Sequence, residues 1–386
     1  MTTTAYLFPG QGVQRPGMGE GLFQRFPDLV AEADALLGYS VERLCLDPAG
    51  DRLTQTLYSQ PAVYLVNALG YRARLADGTP APDVVLGHSL GEYNALEAAG
   101  VVDFTVGMAL VQARARATAD VAGAMLAVLG LTRTRISGVL EQANLSGVET
   151  VNLNSDLQTV LAGPTGEIAA ARPLLRAAGA KLAVRLNVSG PFHSRLMTPC
   201  VPAFAAAVPY ALLRPPRIPV IANTTARPHT VGRTGQLLVQ HLTRPVRWQE
   251  SVEWLLDTYH RVDFVEVGNA DILLTLVRHI ERDRNCRLTE LTEGPAMPRL
   301  TLDDLSAFLN ESTDDDILVH LTEADLDTAF AGLGVDSLSI VELSSRLGTA
   351  FGMPEPDDVL EDLRTPRRSL DFVNRRPFDG FAKKAS

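Results

Sequence analysis

Residues 84–99 read VVLGHSLGEYNALEAA, and this stretch does most to decide the fold. Residues 84–86 form a short apolar run that predicts a buried strand, and residues 92–99 have the composition of a helix. Between them, Ser89 stands in a G-x-S-x-G pentapeptide whose two glycines permit a sharp turn. A strand, a turn and a helix in this order predict a nucleophile elbow, which presents the serine hydroxyl at the edge of an α/β sheet.

The same alternation of short apolar runs with helical patterns extends over the first 120 residues and returns at residues 219–280. It predicts an α/β layer with parallel strands, here a large subdomain of the α/β-hydrolase-like kind. Residues 124–189 break the alternation, because they follow the order strand, helix, strand, strand, helix, strand. This order is typical of a ferredoxin-like subdomain, which we therefore expect as a small insertion in the larger one.

The end of the chain has a different character. Residues 283–299 are polar and contain glycine and proline, which predicts a flexible linker after a domain of residues 1–282. A small all-α helical bundle is expected over residues 300–376, followed by a tail at residues 377–386. Its predicted elements are helices at residues 302–310, 337–351 and 366–374, and a short turn at residues 359–363.

Charge separates these two parts of the chain. Residues 1–300 carry 27 acidic and 27 basic side chains, whereas residues 301–386 carry 18 acidic and 8 basic ones, so the net charge of −10 lies at the C-terminal end. An acidic module of this kind favours partners with basic protein surfaces and argues against nucleic acid as a ligand. The alternative interpretation is a solvated acidic tail.

Composition narrows the class of protein further. A chain of 386 residues, 46% of them hydrophobic, can bury two or three separate cores. No apolar run approaches the roughly 18 residues of a membrane span, and Met1-Thr2-Thr3-Thr4 lacks the basic start of a secretory signal, so we expect a cytoplasmic protein with no membrane partner. The cysteines have no metal-ligand spacing, and we expect reduced thiols and no bound metal; they are Cys45, Cys200 and Cys286.

A serine nucleophile needs a base and two donors for the oxyanion. Of the seven histidines, His193 is the best candidate for the base because it directly follows an apolar strand, and His88 is the competing choice. The amide of Leu90, just after the nucleophile, is the usual first donor at an elbow. The second could come from the glycine turn around Gln11, which follows another apolar strand.

Over residues 4–282 the chain resembles the malonyl-CoA:acyl carrier protein transacylase family, which includes the acyltransferases of polyketide synthases. The motifs that carry the resemblance occur in family order. They are Phe8-Pro9-Gly10-Gln11-Gly12, Gln60-Pro61-Ala62, Gly87-His88-Ser89-Leu90-Gly91-Glu92-Tyr93, Gly190-Pro191-Phe192-His193-Ser194 and Pro245-Val246-Arg247-Trp248.

The resemblance implies roles for these residues. It pairs Ser89 with His193 as the catalytic residues, makes Gln11 and the Leu90 amide the oxyanion hole, and places Gln60 nearby. Two other positions concern the substrate. Arg114 matches the arginine that grips the free carboxylate of malonyl, a task suited to a guanidinium fork. Phe192 matches the bulky residue associated with malonyl rather than methylmalonyl selection. His241 departs from the family, which often has Gln or Asn there and uses that residue's backbone carbonyl to orient the catalytic histidine.

The second resemblance concerns residues 300–376, which are similar to acyl carrier proteins on the stretch Leu326 to Leu338, ending in Gly334-Val335-Asp336-Ser337-Leu338. It implies a covalent 4'-phosphopantetheine on Ser337. Its implied partners are a phosphopantetheinyl transferase that attaches the arm and a ketosynthase that uses the acyl group. Without the wider stretch, Ser337 could equally be a simple helix cap.

Together these features predict an acyltransferase that moves a malonyl group from malonyl-CoA, through a Ser89 ester, to an acyl carrier protein in cis or in trans, in polyketide or fatty-acid biosynthesis. The rivals are a thioesterase that shares the same serine and histidine, a transferase for a different acyl group, and a carrier protein joined to an inert transferase half.

Overall fold

The computed structural model describes residues 2–268, 271–293, 300–310, 320–333, 335, 337–351 and 363–375. The chain divides into two compact units, residues 1–288 and residues 289–386. Within the helices, the side chains of residues 286–293, 337, 338, 345, 348–351 and 375 lie outside the described part. Each unit is treated by itself below.

The first unit contains two sheets. The strands are β1 (Thr3–Phe8), β2 (Val84–Gly87), β3 (Ala124–Leu129), β4 (Glu149–Ser155), β5 (Gln158–Gly163), β6 (Leu182–Arg185), β7 (Val220–Ala222), β8 (Arg227–Pro228) and β9 (Val262–Glu266). One sheet has the order β8-β7-β2-β1-β9 and the other the order β4-β5-β3-β6.

The helices of this unit are α1 (Pro27–Leu37), α2 (Val41–Leu46), α3 (Thr56–Ala76), α4 (Gly91–Ala98), α5 (Phe104–Thr118), α6 (Arg133–Gln142), α7 (Thr165–Ala177), α8 (Val201–Ala207), α9 (Thr234–Gln240), α10 (Trp248–Thr258) and α11 (Ile272–Glu293). None of the helices in the described part of the chain combines the length and the apolarity that crossing a bilayer requires.

The five-stranded sheet is parallel except at β8. Alternate residues of β1 enter two different cores: Tyr6 and Phe8 join one with residues of α3 and α4, while Ala5 and Leu7 join the other with residues of α10 and α11. A strand buried on both faces needs a continuous apolar run, which is why the first strand has no polar alternation. The predicted α/β layer is confirmed.

The four-stranded sheet is antiparallel throughout. Helices α6 and α7 pack against one of its faces, and their apolar residues share a core with β3 and β5. This confirms the predicted order of strands and helices over residues 124–189. The strand order is the one in which a ferredoxin-like chain pairs its first strand with its third and fourth.

The predicted linker is partly wrong. Helix α11 continues to Glu293, so residues 283–293 are helical. They contain neither glycine nor proline, and Gly294 is the first glycine or proline after the start of α11. Residues 294–299 lie outside the described part.

The second unit contributes α12 (Leu302–Asn310), α13 (Ser337–Phe351) and α14 (Pro366–Arg375). Its core combines apolar side chains from these helices and the turns between them, among them Leu305, Phe330, Leu343, Leu347 and Val373. The side chain of Asn374 bonds both the amide and the carbonyl of Leu300, at 2.9 and 3.0 Å, which ties the start of the unit to its end. Of the turn predicted at residues 359–363 only Leu363 is described, and the tail lies outside the described residues.

Candidate active site

Ser89 lies between β2 and α4 with a left-handed backbone, at a φ of 53°. The conformation is uncommon for a residue with a side chain, and bonds from Asn223 support it. The Ser89 amide donates to Asn223 Oδ1 at 2.7 Å, and Asn223 Nδ2 donates to the carbonyl of Gly87 at 2.6 Å. On the helix side, a side chain on Gly91 would collide with the carbonyl of Phe8. The elbow is therefore held from both neighbouring strands, β7 and β1.

His193 faces the serine. Its Nε2 lies 2.7 Å from Ser89 Oγ, and its Nδ1 lies 2.8 Å from the carbonyl oxygen of His241. Because a carbonyl can only accept, Nδ1 carries the proton and Nε2 is left to accept from the serine hydroxyl. The contact that orients the histidine thus comes from a backbone carbonyl, as the resemblance implied for position 241.

Burial sets the charge of this histidine. Only 3% of His193 is exposed. The pKa of His193 is lowered to about 3, mainly by burial and secondly by the nearby Arg114 cation. The hydrogen bond to the His241 carbonyl has the opposite effect and raises this pKa. The imidazole is therefore neutral at physiological pH, which is the state that a general base requires.

His88, the competing choice, points elsewhere. Its Nε2 lies 2.9 Å from Asn154 Oδ1, and its ring packs against Trp248 at a centroid distance of 5.4 Å. Burial lowers the pKa of His88 as well. These contacts occupy the side chain away from the hydroxyl of Ser89.

The two expected oxyanion donors come from adjacent backbone segments. The loop after β1 lies directly on the elbow, since a Cβ added to Gly10 would collide with the carbonyl of His88 and lie 3.4 Å from the Leu90 amide nitrogen. The next residue, Gln11, accepts from Thr56 Oγ1 at 3.2 Å, and its buried Nε2 has no hydrogen-bond partner among the described residues. Close packing thus brings the Gln11 segment beside the Leu90 amide.

Arg114, on α5, lies beside the serine with only 3% of its surface exposed. Its Nη1 donates to Gln60 Oε1 at 2.5 Å and its Nη2 to Ser89 Oγ at 3.4 Å. The rings of Tyr93 and Phe192 lie 6.0 and 5.8 Å from the guanidinium carbon. Burial lowers the pKa of Arg114, yet an arginine remains charged, and no carboxylate of the described residues forms a salt bridge with it. A buried cation in this condition suits an anionic ligand.

Gln60 and Thr118 hold the arginine in place. Gln60 Nε2 donates to Thr56 Oγ1 at 2.9 Å and to Thr118 Oγ1 at 3.4 Å. Thr118 Oγ1 donates in turn to the carbonyl of Arg114 at 2.8 Å. A cleft of about 500 Å³ has Gln11 and His88 in its wall, but its lining does not include Ser89, His193 or Arg114.

Sequence reasoning missed three polar residues around the site: Asn223, Glu92 and His229. Glu92 is 1% exposed and lies 2.7 Å from His229 Nε2 and 3.1 Å from His241 Nδ1. One signal was available for Asn223, because it directly follows β7, and a strand end was the argument used for His193. Glu92 sits inside a recognised motif but had no assigned part.

Ser337 is the first residue of α13, and its side chain is outside the described part. Free backbone amides at a helix start suit a phosphate group, so the position fits a phosphopantetheine attached there. Among the residues that the structure describes, no group of three or more histidine, cysteine, aspartate or glutamate side chains could hold a metal ion.

Comparison with known proteins adds the family. Residues 5–287 match the family described as the acyl transferase domain. The chain belongs to the acyl transferase family. Residues 316–373 match a second family, described as the phosphopantetheine attachment site. This acyl transferase therefore carries a domain of the type that bears a covalent phosphopantetheine.

Several relatives of this acyl transferase are named malonyl CoA-acyl carrier protein transacylases. It is 40% identical over 280 residues to the polyketide biosynthesis malonyl CoA-acyl carrier protein transacylase PksC of Bacillus subtilis (strain 168). The aligned region covers 72% of this chain and 97% of PksC. A malonyl CoA-acyl carrier protein transacylase structure from Burkholderia pseudomallei matches with a TM-score of 0.71 and 44% identity over 73% of this chain and 99% of that one. A complex of a type II polyketide synthase acyl-carrier protein with its malonyl-transacylase matches with a TM-score of 0.67, 33% identity and coverage of 73% and 94%. The resemblance to malonyl-CoA:acyl carrier protein transacylases is confirmed.

Proposed function

We propose that this acyl transferase moves a malonyl group from malonyl-CoA, through an ester on Ser89, to the thiol of an acyl carrier protein in polyketide or fatty-acid biosynthesis. The observation that carries the proposal is the buried Arg114, whose Nη2 lies 3.4 Å from Ser89 Oγ with no described carboxylate paired to it. A malonyl carboxylate supplies the missing negative charge, and two parallel N–H donors suit its two oxygens. The names of the relatives support the same substrate.

In the first half of the cycle, His193 Nε2 takes the proton of Ser89 as Oγ attacks the thioester carbonyl. The Leu90 amide and Gln11 stabilise the oxyanion that forms, and losing one such donor lowers kcat by about 100- to 1,000-fold in enzymes of this kind. When the intermediate collapses, the carbon–sulfur bond breaks and the proton on His193 passes to the CoA sulfur. The malonyl group remains as an ester on Ser89.

In the second half, His193 accepts the proton of the acceptor thiol as its sulfur attacks the ester carbonyl, and returns that proton to Ser89 Oγ when the ester bond breaks. Throughout, the His241 carbonyl accepts a hydrogen bond from Nδ1 of His193. This carbonyl takes the place of the carboxylate in a conventional triad. When attached to Ser337, 4'-phosphopantetheine supplies a thiol that can accept the acyl group. Loading in cis and delivery to a separate carrier both use these residues.

The units divide the labour. Residues 1–288 form the transferase, and residues 300–376 form a helical carrier whose Ser337 is modified by a phosphopantetheinyl transferase and whose malonyl group serves a ketosynthase. Selection against a methyl branch falls to Phe192, whose ring lies 5.8 Å from the Arg114 guanidinium carbon and limits the room beside a bound malonyl carboxylate. One methyl group changes binding by only about 1–3 kcal/mol, so selection against methylmalonyl is a preference.

The test is to incubate full-length protein carrying phosphopantetheine with malonyl-, acetyl- and methylmalonyl-CoA and to locate the acyl groups by intact mass and peptide mapping. Wild type is expected to carry malonyl on residue 89 and on residue 337. Ser89→Ala loses acyl transfer by at least about a thousandfold. Ser137→Ala, at an exposed serine on α6, is the matched control and keeps the wild-type rate.

A thioesterase would release free malonate and leave neither position labelled. That result, or equal labelling of wild type by malonyl and acetyl groups, would contradict the proposed transfer.

A further inference from the structure

The residue that orients the catalytic histidine lies against a buried carboxylate. His241 is 2% exposed and directly follows α9, and its carbonyl accepts a hydrogen bond from Nδ1 of His193. Its ring stacks on the ring of His193 at a centroid distance of 4.5 Å and an interplanar angle of 29°. On the other side, His241 Nδ1 lies 3.1 Å from Glu92 Oε2. Both the backbone and the side chain of His241 are thus in contact with the site.

Glu92 collects contacts from several separate segments. Its Oε1 lies 2.7 Å from His229 Nε2, which follows β8, and its Oε2 accepts from the backbone amide of Asn223, after β7, at 3.4 Å. Glu92 itself belongs to α4, three residues after the nucleophile. A carboxylate with 1% exposure persists only where such partners replace its water. The side chain therefore links α4, which begins two residues after Ser89, with the end of α9, which His241 directly follows.

We propose that Glu92 is a positioning residue for His193 and that it acts through His241. The carboxylate anchors the His241 side chain, which fixes the direction of the backbone carbonyl that holds the His193 Nδ1 proton. The inference rests on the proposed function, since it assigns a part in the same transfer reaction. The Glu92 carboxylate forms no hydrogen bond with the Ser89 side chain or with the Arg114 guanidinium, on which its charge acts only through space.

Two features indicate that His241 transmits the effect of Glu92 to His193. Neither ring nitrogen of His241 forms an aligned hydrogen bond within the described residues, so the 3.1 Å approach to Glu92 is the polar contact that locates this ring. The carbonyl at position 241 in turn is the acceptor for the base, at 2.8 Å. A shift of the reacting groups by about 1 Å is enough to cost a hundredfold in rate, so a small rotation at residue 241 reaches the chemistry.

The experiment measures the rate of Ser89 malonylation in full-length protein for Glu92→Gln, His241→Leu and the double variant. His241→Leu keeps the backbone carbonyl and much of the volume but removes the polar contact. Each single variant is expected to lower kcat by about 10- to 100-fold at an unchanged KM, because the substrate clamp is intact. The double variant is expected to be no slower than the slower single variant, because both changes break one connection.

Two controls separate positioning from general destabilisation. Glu97→Gln makes the same substitution on the same helix, at a carboxylate that pairs with Arg72 rather than with a histidine, and keeps the wild-type kcat. His241→Gln restores an amide donor toward Glu92 and is expected to recover most of the rate lost in His241→Leu.

The inference would be overturned if the kcat of the double variant fell by the product of the two single losses, or if Glu92→Gln kept the wild-type kcat. Either result would leave the proposed function in place. If Glu92→Gln does not fold, His241→Leu with unchanged kcat overturns it equally well. A wild-type protein that forms no malonyl-Ser89 overturns the proposed function itself.

Discussion

Two buried ionic residues on neighbouring helices have opposite circumstances. Glu92 is surrounded by imidazoles and a backbone amide, whereas Arg114 has neutral partners, Gln60 and the serine hydroxyl, among the described residues. The Glu92 charge acts on Arg114 only through space. Burying a charge without a hydrogen-bonded counter-charge is costly, and the cost is recovered when an anion binds. In the proposed reaction, the malonyl carboxylate is the anion that binds Arg114.

Replacing Arg114 by alanine is expected to lower kcat/KM for malonyl-CoA by about 10- to 150-fold, which corresponds to one charged hydrogen-bonded contact. The value for acetyl-CoA, which has no carboxylate, is expected to change less than about threefold. Steady-state kinetics with both thioesters measure the ratio. Arg116→Ala removes an exposed arginine from the same helix and is the matched control; parallel losses for both substrates would remove Arg114 from its assigned role.

The depressed pKa of His193, about 3, predicts a pH dependence of stability. Below pH 6.5 the unfolded chain protonates this residue and the folded chain does not, so acid favours unfolding. The contribution is about 1.4 kcal/mol of unfolding free energy lost per pH unit between pH 6.5 and pH 3. Urea titrations at pH 7 and pH 5 are expected to show a shallower pH dependence in His193→Gln than in wild type.

His260→Gln, at an exposed histidine, is the control for this measurement and is expected to keep the wild-type pH dependence. If His193→Gln and wild type lose stability equally between pH 7 and pH 5, the histidine is not buried in its neutral form.

At the scale of elements, the elbow depends on how closely α4 approaches β1. The start of α4 packs on the end of β1, and there is no space at residue 91 for a side chain between them. The same approach brings the Gln11 loop beside the Leu90 amide. One packing contact thus sets both the turn at Ser89 and the spacing of the two proposed oxyanion donors.

Gly91→Ala is therefore expected to reduce the free energy of unfolding by at least about 2–3 kcal/mol, because a methyl group would meet backbone atoms that cannot rotate away. Gly138→Ala on α6 is the opposite case, since nothing lies within 4 Å of the added carbon. It is expected to stabilise the protein by about 0.5–1 kcal/mol through helix propensity. Urea unfolding followed by circular dichroism distinguishes the two; equal effects would contradict the close approach of α4 to β1.

Local patterns predicted the elements well, and they predicted the parts of the site that lie in contiguous motifs. The strand before Ser89, the βαββαβ insertion and the ends of α12 and α13 follow from periodicity, turn residues and capping, which act over a few positions. Asn223 and His229 meet Ser89 and Glu92 across more than 130 residues of chain, so no local pattern points to their partners. The prediction of a linker at residues 283–293 was wrong for a different reason. Their polar composition suggested a coil, but they contain no glycine or proline to end the helix.

At the scale of the whole molecule, two units with separate cores divide an acidic C-terminal part from an electrically balanced remainder. Acidic and basic surfaces steer association and are screened by salt. The division predicts that the two activities can be separated between two copies of the chain.

Ser337→Ala is expected to abolish labelling of residue 337 and to leave malonylation of Ser89 within about twofold of wild type, because the two serines belong to separate compact units. Mixing this variant with a Ser89→Ala protein that carries phosphopantetheine tests delivery between molecules. Label is expected on residue 337 of the second protein, at a rate that falls as salt is raised. Peptide mapping identifies the labelled chain, and absence of label at any protein concentration would restrict transfer to cis.

The central sheet also has a consequence for synthesis on the ribosome. β1 pairs with β2 on one side and with β9 on the other, and β9 follows about 250 residues later. At roughly 5–20 residues per second, that edge of β1 stays open for about 12 to 50 seconds after its translation. The insertion of residues 124–189, which pairs only within itself apart from one bridge to Val246, can close its sheet in the meantime. We expect the nascent chain to complete the inserted subdomain first and to assemble Ser89 with its partners last.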